Sequence, residues 1–198
     1  MRNKDIFLKG EYVALKVLDE VDIENSNWYD WFNDEETTLF MQKHYYPNTK
    51  KQQLEFWENE IKGNENKIQL GICPAQGGGI VGCVSLNSID YLNRKAEIST
   101  IIGEKSARNI KYYYESNKLM IIHGFYTLNL HRIYGGTIVK ELADLLCRFF
   151  GFQIEGIARQ DVYKNGKYHD VYRIGLLKSD FDRRLEKERT MLGDIKHD

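Results

Sequence analysis

The sequence is poor in proline and cysteine and contains no long apolar run. Its 198 residues include two prolines and three cysteines. Cys73, Cys83 and Cys147 are widely spaced and form no Cys-x-x-Cys pair, so neither a zinc knuckle nor a disulfide framework is expected. No apolar run approaches the ~20 residues of a membrane span, and residues 1–5 lead into no apolar signal core. These absences predict a cytoplasmic protein that binds neither a membrane nor a metal ion.

The charge of the chain is almost balanced, with 28 Lys+Arg against 29 Asp+Glu and a formal net charge of -1. This balance argues against a nucleic-acid partner, because binding a phosphate backbone requires a concentrated basic face. Hydrophobic residues make up 42% of the chain and charged residues 29%, which is typical of a globular protein. Since no linker interrupts the sequence, we predict one domain over residues 1–180, a charged tail over residues 181–198, and a monomer or homodimer.

Periodicity and turn signals predict seven strands and four helices. The strands are predicted at residues 11–18, 68–74, 79–90, 95–102, 131–139, 152–163 and 168–177. The helices are predicted around Trp28, Trp31 and Phe32, after the capping box Thr49-x-x-Gln52, at 106–127, and over the apolar stripe Leu142, Leu145, Leu146, Phe149 and Phe150. We expect Gly151 to end the last of these helices and Asn165-Gly166 to form a hairpin turn. This order of elements predicts an α+β sandwich with a mixed sheet.

Particular residues within this order match a known family. The matching stretches are Trp31-Phe-Asn-Asp34, Ile80-Val-Gly82, Ile89-Asp90 with Asn93, Ala96-Glu97-Ile98, Leu128-Asn-Leu-His-Arg-Ile133, Phe150-Gly-Phe152 with Glu155-Gly156, and Lys164-Asn-Gly-Lys-Tyr168 with Asp170. Together they resemble the GNAT superfamily of acyl-CoA-dependent N-acetyltransferases, in particular the branch of ribosomal-protein alanine and sugar-amine acetyltransferases. The resemblance implies a mixed, mostly antiparallel central sheet of about seven strands flanked by about four helices. It also implies acetyl-CoA as the acyl donor and direct attack by a small-molecule amine.

The loop after the strand of Glu97 departs from the family pattern. The family has Gln/Arg-x-x-Gly-x-Gly/Ala there, and its glycines let backbone N–H groups approach the CoA diphosphate at a helix N-terminus. Here the glycine places fall on Asn109, Lys111 and Tyr113. Either CoA binds in an adjusted pose, with Asn109 in left-handed backbone and Arg108 and Lys111 contacting the phosphates, or the loop has lost CoA. On the first interpretation the donor site comprises Ile101, Ile102, Arg108, Asn109, Ile110, Lys111, Tyr112, Tyr113 and Lys140.

Acetyl transfer to an amine requires a base for the amine proton and a proton donor for the departing thiolate. The resemblance places the base at Glu97, a strand carboxylate whose pKa rises toward neutrality if it is partly desolvated. The alternative for Glu97 is a solvent-facing strand residue. The family's proton donor is a tyrosine, and its place in this sequence holds Cys147. Cys147 is either that donor or a small packing residue beside the apolar stripe.

The acceptor is expected beside the first helices, where the family builds a lid. The candidate contacts are Asn33, Tyr45, Asn87, Tyr91 and His169. Tyr45 belongs to the aromatic segment His44-Tyr-Tyr-Pro47, which either stacks on a sugar ring or packs on the core. Amino sugars or sugar nucleotides and protein N-termini are the candidate acceptors. The alternative function is a GNAT-fold binding or scaffold protein that has lost CoA.

Overall fold

A computed structural model describes residues 5–39, 41 and 45–194, the last four by their backbone alone. The strands within these residues are β1 (Ile6–Lys9), β2 (Val13–Val17), β3 (Ile68–Pro74), β4 (Gly82–Asp90), β5 (Lys95–Ile102), β6 (Arg132–Thr137), β7 (Gln153–Lys164) and β8 (Lys167–Leu177). The α-helices are α1 (Glu20–Asn25), α2 (Trp28–Trp31), α3 (Glu35–Thr38), α4 (Lys50–Phe56), α5 (Ile110–Ile122), α6 (Lys140–Phe150) and α7 (Lys178–Asp194). Helices α4 and α5 continue as π-helical turns, Trp57–Ile61 and His123–Thr127.

The strands form one sheet in the order β1-β2-β3-β4-β5-β6-β8-β7. Neighbouring strands are antiparallel except β5 and β6, which run parallel. The predicted α+β class with a mixed, mostly antiparallel sheet is therefore confirmed, and all seven predicted strands are present. Strand β1 is additional. Its four residues are too few to show a periodicity in the sequence.

Helices cover both faces of the sheet. The face that packs on α5, α6 and α7, here called the α5 face, carries the larger core, with Leu86, Ile133 and Phe150 almost fully buried. The opposite face packs on α1–α4 and is here called the α4 face. Its smaller core is built around Trp28, Trp31 and Trp57 and adjoining strand residues.

The prediction of two helices between the first two predicted strands is wrong in number, because the described residues of that region form four short ones. Asp19, Asp34 and Thr49 each accept a hydrogen bond from a backbone N–H group in the helix that follows, at 3.0, 2.7 and 3.2 Å. Such N-caps start a new helix. The capping box predicted at Thr49 is confirmed.

The helix predicted at residues 106–127 begins later than expected. A 3-10 turn occupies Lys105–Ala107, and α5 starts at Ile110 because the Asn109 side chain accepts a hydrogen bond from the N–H of Tyr112 at 2.9 Å. At the end of α6, Gly151 has φ +88° and caps the helix as predicted. Asn165 and Gly166 both have positive φ in the predicted hairpin turn.

Helix α5 is fixed to the β1–β2 turn by one carboxylate. Glu115 accepts hydrogen bonds from the backbone N–H groups of Glu11, Tyr12 and Val13 at 2.8, 2.7 and 2.7 Å. Hydrogen bonds from N–H groups to an ionised carboxylate are stronger than those to neutral acceptors. The start of α5 is therefore held at a defined position over the sheet.

An ion pair spans three strands at the other side of the sheet. Arg132 of β6 and Glu155 of β7 form a bidentate pair across β8, which lies between them. Strand β8 has Gly175 at the crossing point, where an added Cβ would overlap both side chains. The lack of a side chain at residue 175 therefore allows the pair to form.

The segment after residue 177 is helical and reaches the core. Phe181 in α7 is 1% exposed, and its ring lies 5.7 Å from that of Phe125, centroid to centroid. The charged tail predicted from residue 181 thus starts with a buried residue, and residues 195–198 lie outside the described part of the chain. The division of the chain at residue 180 stays a prediction.

We predict that Gly103→Ala destabilises the fold, whereas Gly79→Ala does not. A Cβ at residue 103 would overlap the indole of Trp31, while one at residue 79 meets nothing within 4 Å. Overpacking of this kind costs about 1–3 kcal/mol. Urea unfolding followed by tryptophan fluorescence measures both variants. Equal stability of the two variants would contradict the packing of Trp31 on residue 103.

Candidate active site

The parallel strands β5 and β6 separate after a short paired segment. Residues 95–97 of β5 pair with residues 132–134 of β6, and Glu97 and Tyr134 form the last pair. Beyond it, β5 continues beside β4 as far as Ile102, and β6 continues beside β8 as far as Thr137. A cleft therefore opens between Glu97 and the carboxyl ends of both strands. The strand of Glu97 thus splays from the strand of Ile133 beyond this last pair.

Glu97 lies at the narrow end of this cleft, on the α4 face. Its neighbour Ala96 is buried on the α5 face, and successive strand residues point to opposite faces. Asn87 of β4 lies directly opposite Glu97 and donates hydrogen bonds to the hydroxyls of Ser85 and Ser99, both at 3.1 Å. Polar side chains thus lie beside the candidate base.

Tyr134 shares the α4 face with Glu97, and the sequence analysis did not single it out. Burial and the charge of Glu97 raise the pKa of its phenol. A protonated phenol beside the candidate base is suited to donate a hydrogen bond to a bound acceptor. Only the pairing register reveals it, because Tyr134 and Glu97 are 37 residues apart in the sequence.

The predicted donor loop leads into the N-terminus of α5. Asn109 has φ −143°, which is extended backbone, so the expected left-handed conformation is not adopted. It acts instead as the N-cap. The N–H groups of Ile110 and Lys111 have no hydrogen-bond partner among the described residues. They remain available to an anion at the positive end of the helix dipole.

The other predicted donor residues lie in three places: the end of β5, the α5-face core and the start of α6. Ile101 and Ile102 lie half-buried at the end of β5, on the side of the cleft away from β6. The rings of Tyr112 and Tyr113 pack against the α5-face core, and burial raises the pKa of Tyr113 to about 12. Lys140 lies in the first turn of α6 and pairs with Asp144 at 2.7 Å.

Two cations of the loop, Lys105 and Arg108, contact α3 and its N-cap. Lys105 lies 3.0 Å from the carboxylate of Asp34 and 2.8 Å from that of Glu36. Arg108 lies 2.8 Å from Glu36 and donates to the hydroxyl of Thr37 at 2.6 Å. Two cations beside two available N–H groups fit a diphosphate, although no glycine brings the backbone close to it. Lys111, the other predicted phosphate contact, lies over the ring of Tyr12 at 4.7 Å.

Cys147 lies on α6, partly buried against the α5-face core. Burial raises the pKa of its thiol, so the group is protonated at neutral pH. The backbone of Ile154 in β7 lies beside the thiol and opposes the effect of burial on its pKa. A protonated thiol suits the predicted proton donor, and the contact with Ile154 suits a packing residue, so both interpretations stay open.

A cavity of about 480 Å³ lies beyond the end of β6. Its lining comes from the residue after α3, the start of α6 and the β7–β8 hairpin: Leu39, Ile138, Val139, Glu141, Lys164, Asn165, Lys167 and His169. The predicted acceptor residue His169 is therefore part of a cavity wall. Its Nε2 atom lies 3.3 Å from the carbonyl oxygen of Lys164.

Lys164 is a cavity residue that the sequence analysis did not assign. Its side chain is buried, and its amine donates to the carbonyl oxygens of Thr38 and Met41. Burial lowers the pKa of this amine. The predicted lid residue Tyr45 also contacts this hairpin, since its hydroxyl donates to the carbonyl oxygen of Tyr163 at 2.8 Å. His44, from the same predicted lid, lies outside the described residues.

Two predicted acceptor contacts are used elsewhere in the fold. The amide of Asn33 donates to the carbonyl oxygen of Asn48 and accepts from its N–H, at 2.8 and 2.7 Å. Tyr91 lies in the turn between β4 and β5, at the closed end of the cleft, and its hydroxyl donates to the carbonyl oxygen of Glu65 at 2.9 Å. Of the two predicted asparagine contacts, Asn87 lies beside Glu97, whereas Asn33 is bound to Asn48.

The chain is similar to known acetyltransferases in sequence and in fold. A family model described as "Acetyltransferase (GNAT) domain" matches residues 14–143. YdaF of Bacillus subtilis, named for ribosomal N-acetylation, is 30% identical over 118 residues, which cover 59% of this chain and 63% of YdaF. The spermidine N(1)-acetyltransferase of Vibrio cholerae is 34% identical over 113 residues, which cover 54% of this chain and 62% of that protein. The chain thus spans less than two thirds of the length of these two relatives.

A solved structure gives the same fold. The spermidine N-acetyltransferase of Vibrio cholerae, determined with CoA and spermine, superimposes with a TM-score of 0.77 at 24% identity, over 87% of this chain and 99% of that one. The present chain belongs to the GNAT acetyltransferase family. This confirms the predicted family, and the superposition confirms the predicted fold.

No helix in the described ranges is long and apolar enough to cross a membrane. Within the same ranges, no three His, Cys, Asp or Glu side chains gather as metal ligands.

We predict that Glu97→Gln lowers kcat/KM by about 10²–10⁴-fold, the usual contribution of a positioned base. The loss should shrink as pH rises, because more of the acceptor amine is already neutral. Steady-state rates with acetyl-CoA between neutral and alkaline pH measure this. Glu58→Gln, an exposed carboxylate outside the cleft, is the matched control for charge. Wild-type rates in Glu97→Gln across this range would leave His169 or a bound water as the proton acceptor.

We predict that Cys147→Ala lowers kcat while the affinity for acetyl-CoA stays almost unchanged, if the thiol protonates the departing sulfur. Turnover is measured per folded molecule, with binding measured by calorimetry. A variant with reduced stability and normal turnover would instead assign Cys147 to the core.

Proposed function

We propose that this chain transfers acetyl from acetyl-CoA to the primary amine of a small molecule that also carries a negative charge. Amino-sugar phosphates and sugar nucleotides are acceptors of this class. The supporting observation is the cavity, whose lining includes the lysines Lys164 and Lys167, the imidazole of His169 and one carboxylate, Glu141. A positively charged wall favours an anionic group over a polycation.

The length of the cleft fits an elongated acceptor. Three residues of β6, 135–137, separate Tyr134, beside Glu97, from Ile138, which lines the cavity, and the four steps between them span about 13 Å at the usual rise of a strand. The amine of the acceptor lies at Glu97, and its anionic end lies at Lys167 and His169. Glu97 and His169 face the same side of the sheet. Val171 lies against Gly136 on the α4 face, and His169, two residues earlier in β8, points to the same face as Val171.

The residues of the cleft divide the chemistry between them. Bound acetyl-CoA supplies the acetyl group, and the amine attacks it directly in a ternary complex. Glu97 takes the proton that the amine loses, and Asn87 and Tyr134 orient the acceptor beside it. Cys147 is the candidate proton donor for the departing sulfur. The donor diphosphate lies at the start of α5, near Arg108 and Lys111.

A polyamine is the second candidate acceptor. It is favoured by the relative named as a spermidine N(1)-acetyltransferase, at 34% identity. Glu97 and Glu141 supply two carboxylates for such a cation at the two ends of the cleft. Lys164 and Lys167 oppose it, because like charges in the cavity repel a polycation. Protein N-termini are the third class, supported by the similarity to YdaF.

A panel of acceptors tests this order. We expect amino-sugar phosphates or sugar nucleotides to be acetylated with higher kcat/KM than spermidine or a ribosomal-protein N-terminal peptide, measured by release of free thiol from acetyl-CoA. Lys167→Gln should raise the acceptor KM about 5- to 10-fold with little change in kcat, since it removes binding common to ground and transition states. Lys9→Gln, an exposed lysine on β1 at the far edge of the sheet, is the control.

Higher kcat/KM for spermidine, together with a lower spermidine KM in Lys167→Gln, would replace the anionic acceptor by a polyamine. No thiol release with any acceptor, combined with no binding of acetyl-CoA, would favour the scaffold function.

A further inference from the structure

A chain of alternating charges joins α3 and its N-cap to the donor loop. Asp34, Lys105, Glu36 and Arg108 follow one another at N···O distances of 3.0, 2.8 and 2.8 Å. Hydrogen bonds from Thr37 and Lys105 lower the pKa of the Asp34 carboxyl group to about 2. The pKa of Glu36 is lowered mainly by Lys105. Both carboxylates are thus ionised at neutral pH and neutralise the two loop cations.

A carboxylate and a phosphate compete for the same partners. Both accept hydrogen bonds from lysine and, as a bidentate pair, from arginine. Lys105 and Arg108 flank the segment that leads into α5, where Ile110 and Lys111 present available N–H groups. A diphosphate at this helix end therefore needs two cations that are already bound to carboxylates of the same chain.

We infer that the carboxylate of Glu36 is an internal competitor of the donor diphosphate for Lys105 and Arg108. Glu36 contacts both cations, whereas Asp34 contacts Lys105 alone. Binding of the donor exchanges these ion pairs for phosphate contacts. The inference depends on the donor position proposed above, at the start of α5.

The size of the effect follows from exposure. The side chains of Glu36 and Lys105 are 63% and 54% exposed, so water and salt screen the pair. Exposed ion pairs are weak, and we expect removal of the Glu36 charge to tighten CoA binding only about two- to fivefold. The gain should fall as ionic strength rises.

Calorimetric titration with CoA, without acceptor or turnover, tests this. Glu36→Gln should bind CoA about two- to fivefold more tightly than the wild type. Glu35→Gln is the matched control, because it makes the same change in charge one residue earlier on α3 and Glu35 forms no ion pair in the described part of the chain. Its CoA affinity should equal that of the wild type. Pantetheine lacks the diphosphate, so its affinity should be the same in all three proteins.

A double variant separates competition from a general charge effect. Arg108→Ala should weaken CoA binding, and Glu36→Gln should tighten it less in the Arg108→Ala background than alone, since one of the two contested cations is gone. Equal unfolding temperatures establish that each variant is folded.

Unchanged or weaker CoA binding by Glu36→Gln, or the same gain in Glu35→Gln, overturns the inference and makes Glu36 a support of the loop or a remote charge. That result leaves the donor site in place. A wild type that binds pantetheine as well as it binds CoA, with no effect of Arg108→Ala, rejects the diphosphate position itself, and the inference with it.

Discussion

The active site depends on where the pairing between β5 and β6 stops. Parallel strands normally continue side by side, and here they separate after Glu97 and Tyr134. From that point the facing edges carry backbone N–H and C=O groups that need partners. A ligand with amide groups provides such partners when it lies between the strands. The same separation places a carboxylate and a phenol at the narrow end of the cleft, so one feature of the backbone creates both the slot and the position of the candidate base.

The donor loop shows how a helix end is held without glycine. In place of close backbone approach, Asn109 caps α5, Glu115 fixes it to the β1–β2 turn, and Lys105 and Arg108 bind to the α3 region. Each contact is a polar one that orients the loop. These contacts hold the segment before the available N–H groups of Ile110 and Lys111, so it has fewer degrees of freedom than a glycine-rich loop.

The sequence predicts the strands and the family well, because long alternating runs and hairpin signals such as Asn165-Gly166 reflect local backbone preferences. It predicts the first helices poorly. Their boundaries depend on single capping residues. Thr49 and Gln52 show the usual Ser/Thr-x-x-Glu/Gln pattern of a capping box, whereas Asp19 forms its box with Asp22, a pair that does not match this pattern. Glu97 is a candidate through its place in a matching motif, and its role stays a prediction. Tyr134, Lys164 and Glu36 are not singled out by the sequence, because their contacts join residues that are distant in the chain. Asn33 lies in a matching motif, and the structure shows its amide bound to Asn48, a contact that no local pattern indicates.

Gly175 has a mechanical consequence for the cleft. Because residue 175 has no side chain, the Arg132–Glu155 pair can form across β8. Strands β6, β8 and β7 are then joined both by their backbone hydrogen bonds and by this ion pair, and they form one plate of the sheet. Strands β1 to β5 form the second plate, bound by antiparallel ladders. Within the sheet, the two plates share three residue pairs, the last of them at Glu97 and Tyr134. The position of Glu97 relative to β6 is therefore the part of the cleft that backbone pairing fixes most directly.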